Sequence, residues 1–504
     1  MMASKLPLGL VAIVLLTLPG KTLAATSAAG ICPAALPDRI QQIIEQGQFG
    51  QAHWGILVQT LERQVNQRRT LVDRDSQKLF TPASNAKLLT TAAALQRLGS
   101  RYRIRTSIFG APSTSGGWQL QVVGRGDPSL KDPQLEQLAQ QLKRRGIIHV
   151  QQLVLDDRYF GSDPVNPSWE WGDLQSGYGS IANSLIVNLN YHSLTVTPQQ
   201  VGQPLKLSWN DPNAIAGWQI INQTRTVSQD ASEFLQISRD LGQPILRIHG
   251  QLREGGEPDV LDLATLNPQQ VFRDRLLQAL QAANITVDQV LFATADTGQL
   301  SQEVAFVESA PLAELVQVTN TESDNLYAEA LLQTIGATAS HDHFTTTTAA
   351  KITPVEVTAE DSGTTAGLKV LAQTLEQIGV DRSGYQLTDG SGLARMNLVS
   401  PMAFVQTLQA MFYQPNGMAY RASLPIAGKT GTLANRLQAT STIGIVQAKT
   451  GTLTGVAGLS GYISPKAYQP LAFSILLNHS LQPNAEQRSA IDQIVLLLAQ
   501  LKRC

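Results

Sequence analysis

Residues 81–95, Thr81-Pro82-Ala83-Ser84-Asn85-Ala86-Lys87-Leu88-Leu89-Thr90-Thr91-Ala92-Ala93-Ala94-Leu95, decide how the rest of the chain is read. Pro82 is tolerated in the first turn of a helix, and the Ala- and Leu-rich run behind it sustains one. Ser84 and Lys87, three positions apart, then share one helical face, one turn apart. A serine near a helix N-terminus becomes nucleophilic when a lysine of lowered pKa, set by burial and neighbouring charge, takes its proton. Ser-x-x-Lys alone arises by chance in a chain of 504 residues. A plain surface pair on a helix would look the same.

Two distant segments change its weight. Ser323-Asp324-Asn325 interrupts the helix-like run that begins at Leu312 with polar residues, so a hydroxyl and a carboxamide can project together. Lys449-Thr450-Gly451 follows the apolar Ile443–Ala448 stretch and precedes Gly455–Ile463, a strand–turn–strand setting. There a glycine would admit substrate close to the strand, and lysine and threonine could hold a carboxylate. Ser-x-x-Lys, Ser-x-Asn and Lys-Thr-Gly in this order form the signature of penicillin-interacting serine enzymes. A second Lys-Thr-Gly at 429–431 lies behind Pro425 and runs into the polar Ala434-Asn435-Arg436, so Lys449 is the preferred copy.

Working outward, Trp54–Leu61 and Thr70–Val72 have strand character, and helices are expected at 133–145, 268–283 and 487–501. The last of these is apolar enough to pack on a sheet. Residues 190–255 alternate as short strands between Asn, Asp, Gly and Pro turns, and 336–364, rich in Thr, Ala, Ser and His, has the composition of a loop. Asp389-Gly390-Ser391-Gly392 fits a turn bordering the site; it lacks the Gly-x-Ser-x-Gly of a nucleophile elbow. His341 and His343 have no third ligand nearby in sequence, and no histidine suits a Ser-His-Asp triad.

The chain is 43% hydrophobic with a formal net charge of -1, which suits two or three globular domains and argues against a nucleic-acid partner. Lys5, the apolar run 6–18 and Thr22-Leu23-Ala24 form an export signal over residues 1–24. The run is shorter than the ~20 residues a spanning helix needs. No membrane span is therefore expected once the signal is cleaved, and the mature protein is expected in the periplasm or outside the cell. The two cysteines, Cys32 and Cys504, are either bridged, as leftover thiols in an oxidising compartment often are, or unrelated. Their number excludes a disulfide scaffold and a cysteine-rich metal site.

On PASNAKLLTTAAAL at Ser84, GRGDPSL at 124–130, SDNLYAEALL from Ser323, DGSGLARMNLVSP from Asp389, LPIAGKTGTLANR from Leu424 and AKTGTLTGVAGLSGY from Ala448, the chain resembles the D-alanyl-D-alanine carboxypeptidase/endopeptidases. These are the class C low-molecular-mass penicillin-binding proteins, peptidase family S13. The resemblance covers most of the mature chain and implies a multi-domain α/β fold. A β-lactamase/transpeptidase-like domain, an antiparallel sheet flanked by helices, would span 30–104 and 308–504. Two nested β-rich or mixed domains would be inserted at 105–165 with 256–307 and at 166–255. Carried over by motif, Ser84 attacks the penultimate D-alanine carbonyl of a peptidoglycan stem peptide and Lys87 takes its proton. Ser323 and Lys449 relay a proton to the leaving amine, and Asn325 binds the peptide amide. Thr450, Gly451 and Thr452 line the substrate's carboxylate end, with the backbone N–H groups of Ser84 and Thr452 as the oxyanion hole. β-Lactams would trap Ser84 covalently, and no metal or cofactor is implied. A β-lactamase or esterase on the same core, or a silent wall-binding protein, are the competing expectations. The long insertion opposes the first, and the intact Ser84, Lys87, Ser323, Asn325 and Lys449 oppose the second.

Overall fold

A computed structural model describes residues 30–504 except 115, 162–164, 212–217, 241–242, 342–362 and 439–440; the expected export signal and His343 lie outside the described residues. Among the described residues the first elements are α1 (Leu36–Ile44), β1 (His53–Thr60), β2 (Thr70–Arg74), α2 (Lys87–Leu98), β3 (Arg105–Pro112), β4 (Trp118–Val123), α3 (Asp132–Arg144) and β5 (His149–Asp156). There follow β6 (Tyr191–Thr197), β7 (Lys206–Trp209), β8 (Gln219–Val227), β9 (Phe234–Arg239), β10 (Ile245–Arg253), β11 (Asp259–Ala264), α4 (Pro268–Ala282), β12 (Thr286–Phe292) and β13 (Glu303–Glu308). The chain closes with α5 (Leu312–Thr321), α6 (Asn325–His341), α7 (Gly363–Gln377), β14 (Tyr385–Gln386), β15 (Leu398–Val399), α8 (Pro401–Tyr413), α9 (Gly417–Ala422), β16 (Val446–Leu453), β17 (Val456–Ile463), β18 (Leu471–Asn478) and α10 (Asn484–Ala499).

The two ends of the chain build one antiparallel sheet in the order β16-β17-β18-β1-β2. Its inner strands are near-continuous apolar runs because helices cover both faces. On one face, Leu57 and Leu476 pack into a core with Leu88, Leu89, Leu331 and Phe404 from α2, α6 and α8. On the other, Ile56, Val58 and Phe473 meet α1 and α10 through Ile40, Ile491 and Leu498. The apolar stripe of α10 therefore lies on the sheet. Beside it the chain ends are tied: Lys502 N donates to the Ile31 carbonyl (3.0 Å), and Cys32 is disulfide-bonded to Cys504 with Cα atoms 5.8 Å apart.

The segment between α2 and α5 leaves this body. It forms a mixed sheet, β12-β5-β4-β3-β13, in which β4, β5 and β12 run parallel. Parallel neighbours need a crossover, and α3 supplies the one between β4 and β5. Leu135, Leu138, Phe272 and Leu276 of α3 and α4 bury one face of the sheet. Two further sheets, β11-β6-β7 and β8-β10-β9, share a small core around Leu194, Val196, Leu246 and Ile248. The pairing of β11 with β6, Asp259 opposite Val196 and Ala264 opposite Tyr191, attaches 259–264 to the third unit, across the boundary drawn at 256 from sequence.

Two local expectations differ from the structure. Helix α6 continues to His341, into the stretch whose composition suggested a loop from 336. Lys449-Thr450-Gly451 lies within strand β16, and the turn falls at Thr454-Gly455, because Leu453 and Val456 are already cross-strand partners. The residues of a hairpin turn cannot be located from apolar runs alone when the strand itself carries Lys and Thr.

Because a cross-link between ends this far apart in sequence removes much unfolded-chain entropy, replacing Cys32 and Cys504 by Ser should lower the unfolding free energy by about 2–4 kcal/mol. Urea denaturation would show this, with labelling of Ser84 by a penicillin unchanged.

Candidate active site

Ser84 sits in a 3-10 turn, Ala83–Ala86, that runs directly into α2 at Lys87. In a 3-10 turn residues three apart eclipse, so the Lys87 ammonium stands over the Ser84 hydroxyl, with Nζ 2.9 Å from Oγ. Ala83, just before the nucleophile, has a φ of 48°, a left-handed conformation that costs a non-glycine residue about 1 kcal/mol. Strain of this kind persists where neighbours over-determine it. Here Gly392, itself at φ 83°, packs so closely that a Cβ would stand 1.9 Å from the Ala83 carbonyl oxygen.

Lys87 is fully buried and donates twice more, to Asn325 Oδ1 (2.6 Å) and to the Ser391 carbonyl (2.7 Å). Burial pushes its pKa down to about 8, against the opposing pull of the Asp389, Asp324 and Glu329 carboxyls. A lysine so placed is partly neutral near neutral pH and can accept the Ser84 proton.

Ser323-Asp324-Asn325 falls in the break between α5 and α6. Ser323 has a φ of 65°, which ends α5 and turns the chain into α6, while Asp324 accepts the Tyr327 N–H in the first turn (3.0 Å). Ser323 Oγ accepts from Lys449 Nζ (2.8 Å), and Lys449 also donates to the Thr450 carbonyl (3.1 Å). Lys449 is fully buried, and burial together with the charge of Lys87 holds its pKa well below the usual lysine value. Asn325 Nδ2 donates to the Tyr178 carbonyl (2.9 Å), which brings the inserted segment to the site's edge.

Strand β16 is the edge of its sheet. Ala448 N donates to the Pro425 carbonyl, away from β17 (3.0 Å). The two-residue period of a strand therefore aims the Thr450 and Thr452 N–H groups at the same open edge. Gly451 has a different role from the one its motif suggested. A Cβ there would stand 2.6 Å from the Pro82 carbonyl and 2.7 Å from Asn85 Nδ2, so its missing side chain admits the nucleophile turn rather than a substrate.

Several contributing residues lie within or near the quoted motifs, which gave them no individual role. Glu329, buried on α6, accepts from the N–H groups of Gly390 (3.0 Å) and Ser391 (2.7 Å) and so presents the Ser391 carbonyl to Lys87. Burial, then the Asp389 charge, pushes its pKa up to about 8. Asp389 is saturated by Gly392 N, Ala394 N, Asn397 Nδ2 and the indole N–H of Trp169. Thr432, next to the rejected Lys429 copy, accepts from Thr450 Oγ1 (2.8 Å), although Lys429 itself is exposed in a turn. The Asp389–Gly392 turn, legible as a border of the site, is the floor under Lys87. Among the described residues no cluster of His, Cys, Asp and Glu could hold a metal ion.

Two outcomes test this geometry. Gly451→Ala should push the nucleophile turn off Lys87 and slow acylation of Ser84 by a penicillin about 10²-fold, the effect of a misplacement near 1 Å, with a modest drop in the melting temperature and the fold retained by circular dichroism. The acylation rate should climb as pH rises through about 8, where Lys87 loses its proton. A stopped-flow pH profile of penicillin acylation would show this inflection.

The chain matches the profile of the D-Ala-D-Ala carboxypeptidase 3 (S13) family over residues 36–501. It is 32% identical to the D-alanyl-D-alanine carboxypeptidase of Actinomadura sp. (strain R39), over 92% of this chain and 84% of that protein. It is 29% identical to the penicillin-sensitive carboxypeptidase A of Dictyostelium discoideum, over 89% and 87% of the two chains. The fold is that of penicillin binding protein 4 (dacB) from Haemophilus influenzae, with a TM-score of 0.75 at 23% identity, covering 91% of this chain and 98% of that one. With nearly its whole length matched and the serine–lysine geometry in place, the chain belongs to the S13 family of D-Ala-D-Ala carboxypeptidases.

Proposed function

We propose that the protein is a serine-type D-Ala-D-Ala carboxypeptidase acting on peptidoglycan stem peptides through an acyl-enzyme on Ser84. The observation that carries this is the fully buried Lys87 ammonium, held between Ser84 Oγ and Asn325 Oδ1 while the second buried lysine, Lys449, holds Ser323. Ser84 Oγ attacks the carbonyl carbon of the penultimate D-alanine, and its proton passes to Lys87 Nζ. The tetrahedral oxyanion is stabilised by the N–H groups of Ser84 and Thr452, as an oxyanion hole requires. The C–N bond then breaks, with Ser323 and Lys449 delivering a proton to the departing amine. Water hydrolyses the ester and frees Ser84.

The open edge of β16 suits a substrate lying alongside as an added strand, with Thr450 and Thr452 near its carboxylate end. Asn325 engages the peptide amide by giving up its contact with Tyr178. A free D-alanine as leaving group makes the reaction a carboxypeptidase step. The amine of a neighbouring stem makes it an endopeptidase step with the same acylation. β-Lactams acylate Ser84 by the same attack. A peptidoglycan substrate supports a location outside the cytoplasmic membrane, and so does the reading of residues 1–24 as an export signal. The Cys32–Cys504 bridge supports this, since such bonds persist in oxidising compartments. Among the described residues no helix is long and apolar enough to cross a membrane.

Ser84→Ala should abolish both D-alanine release from a soluble pentapeptide and covalent labelling by penicillin, read by mass spectrometry of the adduct. Retention of either activity would refute the nucleophile.

A further inference from the structure

The second sheet, β12-β5-β4-β3-β13, has α3 and α4 on one face only. On the opposite face lies a cleft of about 540 Å³ between β4, β5, the end of β12 and the segment 294–300. That volume is in the range of ligand-binding clefts. No residue of the catalytic site lines it.

Its chemistry is uniform. Four glutamines, Gln119, Gln121, Gln152 and Gln299, face it together with Leu291 and Phe292, which are partly exposed. Among the described residues lining it, none is ionisable. The far wall is held in place. Asp156 takes a two-pronged contact from Arg158, whose guanidinium donates to the Thr294 carbonyl (2.7 Å). Gln121, buried beneath, donates to Asp156 Oδ2 (3.0 Å) and accepts the Leu300 N–H (3.0 Å). The cleft is thus built by a buried polar network, whose members position one another.

An anionic polymer or a free stem-peptide carboxylate would find no cation in the lining to meet it, and charged groups are not desolvated without a partner. A lipid tail would bury several amides unpaired. A neutral polymer bearing hydroxyl and acetamide groups fits. Gln121 is spent on the wall, but the amides of Gln119, Gln152 and Gln299 each offer donors and an acceptor, and Leu291 with Phe292 gives an apolar surface for the C–H faces of sugar rings. We propose that this cleft binds the neutral N-acetylhexosamine glycan strand of peptidoglycan. This rests on the function proposed above, because that strand carries the stem peptides cleaved at Ser84. The cleft would hold the enzyme on the polymer while the catalytic site samples its stems.

The test uses the mature chain and an N-acetylglucosamine tetramer in calorimetric titration. The Gln119→Ala/Gln152→Ala double variant should weaken tetramer binding about tenfold, the loss of two neutral hydrogen bonds. D-Alanine release from a soluble pentapeptide should stay unchanged, and release from intact sacculi should fall. Gln152→Glu, which preserves volume while bringing charge into the cleft, gives the same reading should the double variant fold poorly. The proposal is overturned if the wild-type chain does not bind the tetramer, if the variants bind it equally well, or if a neutral Ser/Gln peptide of similar size binds as tightly. Failure of the catalytic assignment would show separately, as a wild-type protein that binds the tetramer but releases no D-alanine from the soluble peptide. Ser84→Ala should bind the tetramer as the wild type does.

Discussion

A lysine ammonium withdrawn from water is tolerated only when each of its protons meets an acceptor, and Lys87 meets three drawn from three parts of the chain. Ser84 Oγ comes from its own turn, Asn325 Oδ1 from the start of α6, and the Ser391 carbonyl from the turn after β14. Most of the local architecture can be traced to satisfying that one group. The left-handed Ala83, the close contact of Gly392, the positive φ of Ser323 and the buried Glu329 that aims Ser391 each fix one corner of the cage. Burial lowers the affinity of Lys87 for its proton while the nearby carboxyls restrain the shift. The result is a base near neutrality rather than a permanent cation.

The inserted units also reach this cage. Trp169 donates its indole N–H to Asp389, Asn166 donates to the Thr388 carbonyl, and Arg395 pairs with Glu170 at 2.9 Å. Asp389 is the residue around which the 389–397 turn closes, so the insert braces the floor under Lys87. An insert could have been a passive appendage on the catalytic body. Here its stretch from Asn166 to Tyr178 is a wall of the site, and Tyr178 touches Asn325 directly.

Much of the site was legible from spacing. Ser84 with Lys87, Ser323 with Asn325, and Lys449 in preference to Lys429 follow from motif order and flanking composition, and the structure joins them in two hydrogen-bonded groups, Lys87 with Ser84 and Asn325, and Lys449 with Ser323. The roles of Glu329 and Trp169 were not legible, and Asp389 was legible only as part of a turn bordering the site. Each acts through a backbone group or a buried carboxyl far away in sequence, and a single acidic residue on an apolar helix has no spacing that announces such a role. The same limit explains β11. The strands read from composition stop at 255, and the pairing of 259–264 with β6 is decided by which edge is open.

The amino-acid sequence by itself determined the chemistry available: a serine and lysine one turn apart, a second hydroxyl–carboxamide pair, and a Lys-Thr-Gly strand in family order. It also determined the continuous apolar runs of the main sheet and the alternating short strands between 190 and 255. Only the tertiary structure decided what Gly451 and the Asp389–Gly392 turn are for. Both functions depend on how closely separate pieces of chain approach, 2.6 Å from a Cβ at 451 to the Pro82 carbonyl and 2.7 Å from Lys87 Nζ to the Ser391 carbonyl. Local sequence specifies conformation and polarity. The distance between residues hundreds of positions apart is set by the packing of the whole body.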